Sequence, residues 1–84
     1  MHKTLMKLTK RHLLYLRSCS KYIVKSREDT NKEALFMYCN RLKGYLACLS
    51  NLDTITVHEE YSLYSWLVEA DRTNSLKYYL RYFN

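Results

Sequence analysis

The near absence of turn-forming residues constrains this chain more than any other feature of its sequence. Its 84 residues include no proline and a single glycine, Gly44. A small β-sheet needs frequent tight turns, which proline and glycine supply, whereas a few polar loops are enough to join helices. With 48% hydrophobic residues, the chain also carries enough apolar surface to fold. We therefore predict one all-α domain that spans residues 1–84.

The first predicted helix covers residues 4–27 and has two opposed faces. When residues are stepped by about 100° around a helix axis, Leu5, Leu8 and Leu16 fall on one side. The opposite side is basic and is interrupted by Leu14. The six members of this predicted basic stripe are Lys3, Lys7, Lys10, Arg17, Lys21 and Lys25.

Three further helical segments follow the first. Apolar residues recur at helical spacing over residues 31–50 and 57–70, and then in a short final stripe. That final stripe consists of Leu76, Tyr79, Leu80 and Phe83. Two pairs have the spacing of a capping box at a helix start, namely Thr30 with Glu33 and Thr56 with Glu59. The pattern predicts a small bundle of three helices plus a short C-terminal fourth helix, or an extension of the third.

The positive net charge of the chain comes entirely from its first segment. Residues 1–27 contain eight basic side chains and no acidic one, whereas residues 28–84 contain six basic and eight acidic ones. A basic helix face of this kind can meet an acidic protein surface, nucleic-acid phosphates or an anionic membrane, or it can serve solubility alone. We expect an acidic protein partner, with non-specific nucleic-acid binding as the alternative and peripheral membrane binding as a second one. Sequence-specific reading of DNA is not expected, because the stripe is mostly lysine.

The third helix is the candidate for a contact between subunits. Its apolar residues extend almost all the way round the helix, which is typical of a helix buried on two sides. A chain of this length builds only a modest core, so we expect a homo-oligomer. Tyr64 and Trp66 are the predicted contact residues.

The cysteine pattern and the short length of the apolar runs predict where the protein resides. Cys19, Cys39 and Cys48 are odd in number and have no CxxC spacing, which favours reduced thiols and a cytoplasmic location. No apolar run approaches the roughly 20 residues that a membrane-spanning helix needs.

No catalytic, metal or cofactor site is predicted. Zinc needs four ligands, and the histidines and cysteines show no short ligand spacing. A single glycine cannot build a phosphate-binding loop, and capping explains the carboxylates at the helix starts. We therefore expect a small non-enzymatic regulator or inhibitor that binds a macromolecular partner, a type typical of phages and other mobile elements.

Overall fold

A computed structural model describes residues 2–81 as four α-helices that follow one short 3₁₀ segment, with no strand in that range. The 3₁₀ segment is Lys3–Lys7, and we call residues 2–8, which include it, the N-terminal segment. The helices are α1 (Lys10–Glu28), α2 (Lys32–Asn51), α3 (Val57–Glu69) and α4 (Thr73–Leu80). The predicted all-α bundle is confirmed, and a turn separates the fourth helix from the third.

The predicted start of the first helix is wrong, because two extended residues interrupt the helical backbone before α1. Leu8 and Thr9 are extended, with ψ angles of 150° and 167°. The Thr9 hydroxyl accepts a hydrogen bond from the His12 backbone N–H, and the His12 ring Nδ1 accepts one from the Thr9 N–H. This capping box satisfies two backbone donors that have no partner inside the helix, so it favours a new helix start at this position.

The N-terminal segment folds back onto the start of α3. Leu5 and Leu8 are buried, with 1% and 4% of their surface exposed. The Lys7 ammonium lies 2.7 Å from a Glu59 carboxylate oxygen, and the His2 ring nitrogen Nε2 lies 3.0 Å from the Ser62 hydroxyl. The segment therefore covers part of the core instead of extending α1.

One of the two predicted capping boxes is correct. At α3, the Thr56 hydroxyl accepts from the Glu59 N–H and the Glu59 carboxylate accepts from the Thr56 N–H, as the spacing predicted. At α2, the cap is Asn31, whose side-chain oxygen accepts from the Ala34 N–H at 3.0 Å. Thr30 instead adopts a left-handed conformation with φ of 50°, and its hydroxyl donates to a backbone carbonyl. A left-handed residue cannot cap a helix, because the cap position requires extended backbone.

Aliphatic side chains from every helix fill the core. Those with 1% or less of their surface exposed are Leu5, Leu13, Leu16, Ile23, Leu42, Leu46, Leu63, Leu67 and Leu76. Each such side chain contributes about 1.5–3 kcal/mol to folding through the hydrophobic effect. α1 packs mainly against α2 and α4. The described part of the final stripe is buried as predicted, and Phe83 lies outside the described residues.

Candidate functional site

The outward face of α1 carries four of the six basic side chains of the predicted stripe. Lys10, Lys21 and Lys25 are exposed, and Arg17 is half-buried. The opposite side of the helix supplies buried residues to the core, including Leu13 and Leu16. Helical periodicity therefore sorts α1 into a core side and a basic side, as the sequence predicted. We call the outward side the basic face.

A shallow groove lies on the basic face. Its volume is about 350 Å³, and one of its lining residues, Leu14, is 47% exposed. Tyr22 adds a second apolar surface, 49% exposed. The residues that line the groove are Leu14, Arg17, Ser18, Lys21, Tyr22 and Lys25. The groove thus combines apolar side chains with three cationic ones.

Two cations of this groove, Arg17 and Lys21, have no acidic neighbour in the chain segments around them, whereas Lys25 lies one helical turn before Asp29 and lines an adjacent pocket with it. Residues 10–27 and 34–51, which make up nearly all of α1 and α2, contain no aspartate or glutamate. Within residues 2–81, Arg17, Lys21 and Lys25 take part in no ion pair. The Arg17 Nε–H is buried and has no hydrogen-bond partner among the same residues.

Two of the six predicted stripe residues do not belong to the basic face. Lys3 and Lys7 lie on the N-terminal segment, beyond the break in the backbone at Leu8 and Thr9. Lys7 is also neutralised by Glu59, and its hydrogen bond is the main reason why the pKa of that carboxyl is lowered to about 2. The prediction that all six residues share one continuous helix is therefore wrong.

The seam between α1 and α2 contains paired tyrosines that sequence reasoning missed. Tyr15 stacks on Tyr45 with ring centroids 4.1 Å apart, and Tyr22 stacks on Tyr38 at 4.9 Å. Such aromatic pairs contribute about 0.5–1.5 kcal/mol beyond the area they bury. The Arg41 guanidinium lies over the Tyr38 ring, 5.6 Å from its centroid. These contacts hold α1 rigidly on α2 and fix the side chain of Tyr22 at the edge of the groove.

The residues predicted for the subunit contact are both half-buried. Trp66 is engaged within the chain, because its ring centroid lies 5.6 Å from that of His2 and 4.6 Å from the Arg72 guanidinium carbon. Tyr64 lies beneath the Lys43 ammonium, 5.2 Å from its ring centroid. A role in self-association stays a prediction for both residues.

The thiols and potential metal ligands form no second site. Cys19 is buried, Cys39 is half-buried and Cys48 is exposed, and all three are free thiols. Burial raises the pKa of the Cys19 thiol, which disfavours its reactive thiolate form. Residues 2–81 hold no group of three or more histidine, cysteine, aspartate or glutamate side chains placed to bind a metal. No helix within this range is long and apolar enough to cross a membrane.

Comparison of the chain with family models, with curated proteins and with solved structures finds no match. The basic face and its groove are therefore interpreted from the residues that build them.

Proposed function

We propose that this protein is a non-enzymatic regulator that binds an acidic surface of another protein through the basic face of α1. The observation that carries the proposal is the groove around Leu14, where an exposed apolar side chain lies among cations that no carboxylate of residues 2–81 neutralises. The contact residues that we propose are Lys10, Arg17, Lys21 and Lys25, together with Leu14 and Tyr22.

The apolar side chains of the groove favour a protein partner over nucleic acid. Phosphates reward positive charge alone, through the release of counterions, and gain nothing from an exposed leucine. Protein interfaces combine an apolar or aromatic centre with a charged rim that steers the partner and sets its register. The groove holds both kinds of side chain, because Leu14 and Tyr22 are apolar or aromatic and Lys21 and Lys25 are charged. An acidic helix with apolar residues on one side has the matching chemistry.

Binding of three labelled probes by fluorescence anisotropy tests this proposal. The probes are an amphipathic glutamate–leucine peptide, polyglutamate and a random-sequence DNA duplex. We expect the amphipathic peptide to bind more tightly than polyglutamate, and Leu14→Ser to remove that difference. Lys21→Glu with Lys25→Glu should abolish binding of both acidic probes. The matched control is Lys32→Glu with Lys77→Glu, which changes the net charge equally at exposed positions outside α1.

Two results would overturn the proposal. One is failure of the wild-type protein to bind either acidic probe at low salt. The other is tightest binding to the duplex with a steep dependence on salt, which would support the nucleic-acid alternative.

We also propose that the protein self-associates and resides in the cytoplasm. Several large apolar side chains of the described chain stay exposed, among them Phe36 at 71% and Tyr61 at 68%. Their burial in a second copy would add to the modest core that a chain of this length can build. The three free thiols support a reducing compartment.

A further inference from the structure

A second groove lies between α2 and α3, away from the basic face. Its volume is about 400 Å³, and its lining residues are Lys43, Gly44, Leu46, Ala47, Glu60, Tyr61 and Tyr64. Tyr61 on its α3 wall is one of the most exposed aromatic side chains among residues 2–81. Helical periodicity places Phe36 of α2 and Val57 of α3 on the same sides of their helices as the groove, with the exposed Asn40 between Phe36 and the groove. The side chains of Phe36 and Val57 are 71% and 60% exposed.

Gly44 has no structural role within the chain that would explain its presence. It lies in the interior of α2 with no positive φ angle, and beyond its chain neighbours and the adjacent backbone of α2 no atom lies within 4 Å of the Cβ that another residue would place there. Glycine in a helix interior costs about 1 kcal/mol relative to alanine. A glycine on an open helix surface lets a second backbone approach closely, which would offset that cost.

The charges of this groove are balanced, unlike those of the rest of α1 and α2. Lys43 lies on the α2 wall and Glu60 on the α3 wall. Lys43 sits over Tyr64, which is one helical turn along α3 from Glu60. The chain as a whole carries a net charge of +6, so two copies repel each other across most orientations. The groove is a surface where they can meet without like charges facing one another.

We infer that the groove between α2 and α3 receives a second copy of this chain in a two-fold symmetric dimer. The two-fold axis runs along the groove, so that α2 of each copy lies on α3 of the other. Lys43 and Glu60 of both copies then line one joined groove in which positive and negative charges stay equal in number, and each copy contributes the same contacts. A stable interface buries about 800 Å² on each partner, which is roughly one seventh of the 5676 Å² surface described.

The inference rests on the proposed self-association and gives it a location and a symmetry. Its contact surface includes Tyr64, which the sequence predicted, and it excludes Trp66. Trp66 lies on the other side of α3, where it contacts the N-terminal segment through His2.

Charge reversal across the groove tests the inference by sedimentation equilibrium over a concentration series. Lys43→Glu leaves only carboxylates among the charged groups of the joined groove, and Glu60→Lys leaves only ammonium groups there. We expect either single variant to raise the dimer dissociation constant by roughly tenfold or more, because like charges at an interface repel. The double variant restores opposite charges and should return the constant to near the wild-type value. Lys77→Glu on α4 is the matched control and should leave dimerisation unchanged.

The possible outcomes separate the inference from the proposal that it rests on. A wild-type protein that stays monomeric at every concentration refutes self-association itself. A wild-type dimer that both single variants leave intact, or that the double variant fails to restore, refutes this surface. Circular dichroism of each variant verifies that helix content is retained, since Lys43 and Glu60 also contact Tyr64 and Ser50 within the chain.

Discussion

Replacement of Gly44 by alanine gives a direct measurement of what the single glycine costs the fold. Alanine is the most favourable residue in a helix interior, and glycine is less favourable by about 0.8–1.0 kcal/mol. Beyond its chain neighbours and the adjacent backbone of α2, the new methyl group meets no atom within 4 Å, so no steric penalty opposes the gain. No positive φ angle must be abandoned at this position. We therefore expect Gly44→Ala to raise the free energy of unfolding of the monomer by about 1 kcal/mol.

Thermal denaturation at low protein concentration measures this effect in the monomer. For a domain of this length, about 1 kcal/mol corresponds to an increase in Tm of about 4–8 °C. Urea denaturation should give the same free-energy change with an unaltered m-value, because the surface exposed on unfolding stays the same.

The same substitution should have the opposite effect on the proposed dimer. A methyl group at position 44 keeps the second backbone from approaching α2, so the dimer dissociation constant should rise while the monomer becomes more stable. Because dimerisation stabilises the folded state by an amount that grows with the logarithm of protein concentration, the gain in Tm should shrink as concentration increases. A variant that is no more stable than the wild type at low concentration would refute the reasoning about Gly44.

Two further predictions concern the helix starts and the N-terminal segment. Thr9→Ala removes the hydroxyl cap of α1 and should lower the free energy of unfolding by about 1 kcal/mol. Thr30→Gly relieves a left-handed conformation and should raise that free energy. Urea denaturation measures both changes, and equal effects of the two variants would contradict the assigned caps. Acidification should release the N-terminal segment in two stages. Burial lowers the pKa of His2, so its contribution is present above pH 6.5 and is lost as the pH falls below that value. Lys7 and the Thr56 backbone lower the pKa of Glu59 from 4.5 to about 2, so that contribution is present above pH 4.5 and is lost as the pH falls toward 2. The single tryptophan, next to His2, reports the release by fluorescence, and Glu59→Gln should lack the second stage.

The sequence was sufficient for the fold class because two simple signals agreed. The scarcity of glycine and proline excluded a turn-rich sheet, and apolar residues at helical spacing marked each helix. The break at Leu8 and Thr9 was missed because it leaves the apolar pattern intact: Leu5 and Leu8 are buried in the N-terminal segment just as they would be in a longer helix. The usual capping box carries a glutamate or glutamine where this one carries His12, so the pattern was not recognised.

The basic face was predictable only in part, for a different reason. Periodicity assigns residues to a side of their own helix, so Arg17, Lys21 and Lys25 could be placed on the exposed side of α1. Which helix packs beside that side depends on tertiary contacts that no local pattern encodes. For this reason neither the stacking of Tyr22 on Tyr38 nor the ion pair that removes Lys7 from the face could be predicted from local patterns.

The basic face and the proposed dimer surface lie on opposite flanks of α2, and this arrangement has a measurable consequence. Tyr38 and Tyr45 stack on α1, whereas Lys43 lies on Tyr64 of α3, so a dimer formed through the second groove leaves both basic faces open. Such a dimer can engage two acidic sites at once. On a surface where acidic sites are dense, binding of the first basic face raises the local concentration of the second, which strengthens overall binding on the order of 10²-fold. Tyr61→Ser removes exposed apolar area from the dimer surface without changing the charge. It should therefore weaken retention on densely immobilised acidic peptide and leave retention on sparse peptide unchanged. Equal loss at both densities would show that Tyr61 acts on the basic face itself, and the two surfaces would then not be independent.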